Sequence, residues 1–151
     1  MTAAEQTRRA TSAAKAMSSE QVAYMVAKVL YDAAEADRKS KEKTWLVAHG
    51  VKNQDGTTPD TLWAYDGSEE EFDRICTAFE NDVFMTAAAK HVDEACKALW
   101  DAENKLIAYG LSIAPANIRD VLQANIRKHE VRQKIIDLTF RLDTSTVEGR
   151  K

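Results

Sequence analysis

Residues 88–109 read AAKHVDEACKALWDAENKLIAY, and the apolar positions inside this stretch decide the fold class. Ala88, Val92, Ala95, Leu99, Ala102, Leu106 and Tyr109 follow one another at spacings of 4, 3, 4, 3, 4 and 3. On an α-helix that alternation places all seven on one seam, the a/d pattern of a helix lying along a partner helix. One class of seam positions is alanine throughout, and the facing class holds Val92, Leu99 and Leu106. Small residues at a contact let helix axes approach the lower end of the roughly 8–10 Å packing range. The expected fold is therefore all-α, an elongated antiparallel bundle or hairpin with coiled-coil-like packing.

Working outward, composition agrees. Hydrophobic residues are 44% and charged residues 30% of the 151, a globular balance. A chain of this length fits one domain and can bury roughly 68–70% of its unfolded surface. Five Gly and two Pro are too few turn-makers for a many-stranded sheet protein. No run of apolar residues is long enough to cross a bilayer, so no membrane partner is expected. Residues 1–17 carry Arg8, Arg9 and Lys15 but lack both the apolar stretch of a secretory signal and the large apolar face of a transit peptide. They predict a weak, loosely attached N-terminal helix.

The first long helix opens at Ser18, whose spacing to Gln21 is that of a capping box, and stops at Gly50 after Ala48 or His49. Val22, Met25, Val29, Ala33 and Ala36 form its main apolar face, with Tyr24, Ala27, Tyr31 and Ala34 a second stripe almost opposite. Two sticky faces mean a central helix or one shared with another chain. The charged stretch Asp37 to Lys43 reads as a solvated face. Residues 50–67 form a loop. Thr58-Pro59-Asp60 predicts an N-cap followed by proline, opening a short helical turn that carries Leu62, Trp63 and Tyr65. The competing reading pairs residues 44–51 with 61–65 as a small hairpin, because Trp45, Val47, His49 and Val51 alternate.

Ser68 and Glu71 form a second capping box, opening a helix expected to run to Tyr109 and end at Gly110. Its stripe of Phe72, Cys76, Phe79 and Val83 is out of phase with the Ala88 seam, which predicts a bend, bulge or change of partner near Phe84 to Ala88. Pro115 opens a third helix through Leu142. Ile118, Leu122 and Ile126 lie on one side of it and Val131, Ile135, Leu138 and Leu142 on another, so its halves are expected to touch different neighbours. Residues 144–151 read as a tail. Cys76 and Cys96, on one continuous helix, would stand about 30 Å apart. That is beyond disulfide reach and predicts buried, reduced thiols and a cytoplasmic location.

No catalytic signature is visible. The glycines sit singly, with no phosphate-cradling loop. His129-Glu130 begins the helical zinc motif, but Gln133 stands where its second histidine belongs; His91 and Glu94 make only one such pair. No metal, cofactor or enzymatic activity is expected. Residues 69–109 hold ten acidic side chains against Arg74, Lys90, Lys97 and Lys105, whereas Arg127, Lys128, Arg132 and Lys134 make the third helix basic. Complementarity between neighbouring helices explains that contrast. A phosphate-binding strip is the alternative, opposed by the net charge of −3 and by Phe140 being the helix's single aromatic residue.

The function expected is a non-enzymatic protein-interaction or oligomerisation module, structural or adaptor in role, whose partner is another protein or a second copy of itself. Tyr24 and Tyr31, one heptad apart, and Trp45, Trp63 and Tyr65 beside the loop are the candidate partner-binding residues, since aromatic side chains dominate binding hot spots. The alternative is a nucleic-acid-associated accessory factor acting through Arg127, Lys128, Arg132 and Lys134.

Overall fold

The computed structural model describes residues 2–6 and 17–148, the last seven of these by backbone alone. Among the described residues five long elements are all helical: α1 (Ser19–Ala48), α2 (Glu69–Glu80), α3 (Val83–Ile113), α4 (Ala116–Ala124) and α5 (His129–Glu148), with a 3-10 turn at Leu62–Ala64. No strand occurs among the described residues, so the all-α reading holds and the hairpin alternative at residues 44–65 does not. Residues 3–6 are helical. Residues 1 and 7–16 of the expected N-terminal segment lie outside the described residues, as do residues 149–151 of the tail and the side chain of Leu142.

The chain forms two compact units, one of Met1–Ala27 with Leu99–Lys151 and one of Lys28–Ala98. Each has its own core. In the first, Leu106 and Ile107 of α3 meet Ile135 and Ile136 of α5, with Tyr24, Tyr109, Leu122, Ile126 and Val131 packed around them. In the second, Trp45, Leu46, Val51, Leu62 and Met85 are buried together, with Tyr65, Phe72, Ile75, Cys76 and Phe79 against them.

The first predicted capping box forms in full, and the second forms its N-cap half. The Ser18 N–H donates to Gln21 Oε1 at 2.8 Å and the Gln21 N–H to Ser18 Oγ at 3.2 Å. The Glu71 N–H likewise donates to Ser68 Oγ, at 3.3 Å. At the other end of α1, Gly50 takes φ +64°. Its N–H donates to the Val47 carbonyl while that of Val51 reaches Leu46, a Schellman closure that satisfies carbonyls the helix leaves open.

Two expected long helices are each broken in two. The helix opened at Ser68 stops at Glu80, and Asp82 caps a new one: the Met85 N–H donates to Asp82 Oδ1 at 3.0 Å. The phase slip expected near Phe84 is this break, a few residues earlier. It also removes the continuous helix from which the cysteine separation was argued. Nor does α3 end at Gly110; it runs on to Ile113. Gly110 is there for closeness, because a Cβ on it would stand 2.6 Å from Ile135 Cγ2 and 2.9 Å from Thr139 Cγ2. The third long helix breaks at residues 125–128, which re-aims its apolar face: Leu122 before the break, Ile126 within it and Val131 and Ile135 after it serve one core, not two neighbours.

All seven seam residues from Ala88 to Tyr109 are buried or half-buried. The two faces of α1 are the reverse of the expectation. Ala27 and Ala34 are buried and Tyr24 and Tyr31 half-buried, whereas Val22, Met25, Val29, Ala33 and Ala36 are exposed. Glu42, expected on a solvated face, is 5% exposed and accepts the Leu62 N–H at 2.8 Å. Together with Lys43, whose Nζ donates to the carbonyls of Thr58 and Pro59 and to Asp60 Oδ1, it straps the loop to α1. The helical turn in that loop starts at Leu62 with Thr61 before it, not at Pro59.

Candidate interaction surfaces

The five aromatic candidates divide by burial. Trp45 is core: its indole N–H donates to Asp82 Oδ2 at 3.2 Å, and its ring meets Phe79 edge-on at 5.1 Å and stacks on His49 at 3.9 Å. Tyr24 packs beside Phe140, ring centroids 6.3 Å apart. Tyr31 donates its hydroxyl to Glu35 at 2.9 Å, and that bond to a carboxylate, with some burial, raises its phenol above the ordinary tyrosine range. Tyr65 stacks on Phe72 at 6.4 Å and folds its hydroxyl over Gly67. Burial, reinforced by Glu71 and Asp66, raises its phenol as well.

Trp63 alone stands out of the surface, 84% exposed, its ring 5.8 Å from that of Phe72. The loop that presents it is cross-tied. The Gln54 N–H donates to Asp66 Oδ1 and the Asp66 N–H to Asn53 Oδ1, while the Asp55 carboxylate takes both the hydroxyl and the N–H of Thr57, which lowers its pKa. An exposed indole on a fixed backbone costs little ordering entropy when it is buried by a partner.

The larger apolar surface is on α1. Val22, Met25, Val26, Val29 and Leu30 are each 44–67% exposed, and Ala33 and Ala36 continue the stripe toward the C-terminus. At 100° per residue these seven fall on one side of the helix, and Tyr24, Ala27, Tyr31 and Ala34 on the other. The sequence shows both stripes, so this surface was visible as an apolar face. What was missed is that it points outward.

The four basic candidates differ in exposure. Arg127, Lys128 and Lys134 are exposed, but Arg132 is half-buried. Its Nε donates to Glu103 at 3.2 Å and its Nη2 to Asn104 at 2.6 Å, and the guanidinium lies 4.7 Å over the Trp100 ring. Arg132 thus joins α5 to α3 through one ion pair, one hydrogen bond and one ring contact. Among the described residues no group of three or more His, Cys, Asp or Glu side chains is placed to hold a metal, and no helix is long and apolar enough to cross a membrane. Cys76 and Cys96 are both free thiols; Cys76 is half-buried and Cys96 exposed, against the expectation that both are buried. The chain matches no protein-family model, no curated protein and no solved structure.

Proposed function

We propose that this protein is a non-enzymatic helical interaction module that works by covering the outer face of α1 with another protein chain. The observation that carries the reading is the stripe of five large apolar side chains, each 44–67% exposed, on one side of a 30-residue helix. Scattered exposed apolar residues are ordinary, but a contiguous stripe marks a contact surface. Trp63, projecting from its fixed loop, is a second anchor of the kind that fills a pocket in a partner.

The test compares the full chain with Val29→Glu/Leu30→Glu in affinity capture from source extract, with light scattering alongside, at low and high salt. Apolar docking survives salt that collapses phosphate contacts. The expected result is a salt-resistant association, with itself or with another protein, that the double variant loses. Identical behaviour of parent and variant, in mass and in captured proteins, overturns the reading.

A further inference from the structure

The outer stripe of α1 has a heptad rhythm of its own. Val22, Val26, Val29, Ala33, Ala36 and Ser40 follow at spacings of 4, 3, 4, 3 and 4, the same alternation as the buried seam of α3. Met25 and Leu30 flank it on either side. We infer that the partner covering this face is a second copy of the chain, and that the two α1 helices pair antiparallel about Val29. The inference rests on the interaction-module reading and names its partner.

Three observations select that occupant and direction. The first is size. The valines occupy the N-terminal half of the stripe and the alanines the C-terminal half. Antiparallel pairing about Val29 sets Val22 against Ala36 of the second copy and both Met25 and Val26 against Ala33, while Val29 meets its own equivalent. Every large side chain then faces a small one away from the centre, and the axes stay evenly spaced. Parallel pairing would stack valine on valine at one end and alanine on alanine at the other, leaving a gap that costs contact along its length.

The second is charge. Asp32 and Asp37 border the stripe on opposite sides, and each is paired within its own helix, to Lys28 at 3.2 Å and to Lys41 at 2.9 Å. In a parallel pair these two flanking positions meet across the interface, setting carboxylate against carboxylate twice. In the antiparallel pair Asp32 falls beside Met25 and Asp37 beside Ala23 of the other copy, and no like charges meet.

The third is area. Specific protein pairs bury on the order of 1,000 Å² or more in total. Two copies of a stripe with five large side chains 44–67% exposed, plus two alanines each, supply surface on the order of that minimum. A pair of this size dissociates on dilution, so the test runs at tens of micromolar and above.

Light scattering of the full chain is expected to give twice the 16.9 kDa chain mass. Val29→Glu/Leu30→Glu is expected to return it to the single mass with helicity by circular dichroism unchanged, since both positions are exposed. Direction is read by crosslinking in a Cys96→Ser background, which removes the exposed native thiol. Val22→Cys mixed with Ala36→Cys should form the mixed disulfide, and Val22→Cys alone should not link to itself. Efficient self-linking of Val22→Cys overturns the antiparallel arrangement. A monomer at every concentration that still captures a different protein through the stripe overturns self-pairing while the module reading stands; a monomer that captures nothing overturns both. A monomer that begins to dimerise when residues 1–16 are deleted assigns the stripe to that segment and likewise overturns self-pairing.

Discussion

Gln21 donates its side-chain amide to the backbone carbonyl of Thr139 at 3.0 Å, and both residues are fully buried. The same Gln21 carboxamide oxygen accepts the Ser18 N–H at 2.8 Å. One side chain therefore closes the start of α1 and ties it to α5. Gln21→Ala removes a cap contact, worth about 0.5–2 kcal/mol, and the second hydrogen bond of a helix carbonyl, worth about 0.5–1.5 kcal/mol. A stability loss of about 2 kcal/mol in chemical denaturation is expected. Gln21→Glu keeps the capping acceptor but cannot donate, so it should also be destabilised. A Gln21→Glu protein as stable as the parent would show that the Thr139 contact contributes nothing.

Gly110→Ala tests how closely α3 and α5 approach. In an open helix interior this change gains about 1 kcal/mol. Here the new Cβ would stand 2.6 Å from Ile135 Cγ2 and 2.9 Å from Thr139 Cγ2, and both side chains are buried with little room to give. Overpacking of that kind costs about 1–3 kcal/mol. A net loss of about 1 kcal/mol is expected, with Gly110→Ser worse. A raised melting temperature for Gly110→Ala would mean that the helices can separate at that point without penalty.

How much of this was legible in advance depended on whether the signal was local. Ser18 with Gln21, Ser68 with Glu71 and Gly50 act within one turn of chain, and each sits where its spacing places it. The α3 seam was also legible, because one clean heptad has one reading. α1 carries two stripes of similar apolar content, and their spacing cannot rank them. What turns the Tyr24 face inward is its continuation, and that face is disguised by Gln21 and Glu42, polar residues buried only because Thr139 and Leu62 supply their partners. The breaks were hidden for a related reason. Asn81-Asp82 and residues 125–128 contain neither glycine nor proline, and the Asp82 cap also depends on Trp45, which is distant in sequence. The aromatic candidates could not be sorted by burial from sequence: Trp45 and Trp63 differ in what packs on them, not in type.

The two thiols should react at different rates. Cys96 is exposed on α3, while Cys76 is half-buried on α2 and packed against the Trp45 core. Burial raises the Cys76 thiol above its ordinary value, and the Glu80 and Asp73 carboxylates push it the same way. A raised value means less thiolate near pH 8, and the thiolate is the reactive form. Alkylation of the folded protein should therefore be biphasic, with Cys96 first, and the slow phase should accelerate as pH rises through the Cys76 value. Peptide mapping after a short pulse identifies each phase. Equal labelling of both sites would contradict the burial of Cys76.

Asp82 holds two elements at once, one with each carboxylate oxygen. Oδ1 accepts the Met85 N–H at 3.0 Å and starts α3; Oδ2 accepts the Trp45 indole N–H at 3.2 Å and fixes the end of α1. Asp82→Ala loses both, a cap worth about 0.5–2 kcal/mol and a buried donor worth about 1–3 kcal/mol, so a loss of about 2–3 kcal/mol is expected. Asp82→Asn separates the two roles: its single amide oxygen can cap α3, but its NH₂ cannot accept from the indole. It should recover the cap and remain short by the indole bond. Fluorescence reports the second role directly in a Trp63→Phe/Trp100→Phe background, because those two tryptophans are exposed and Trp45 is 7% exposed. Both Asp82 variants should change the Trp45 emission, and only Asp82→Asn should retain most of the parent's stability. If Asp82→Asn left the emission of the parent unaltered, the indole would not depend on this carboxylate, and the packing of the Trp45 core would hold the ring without it.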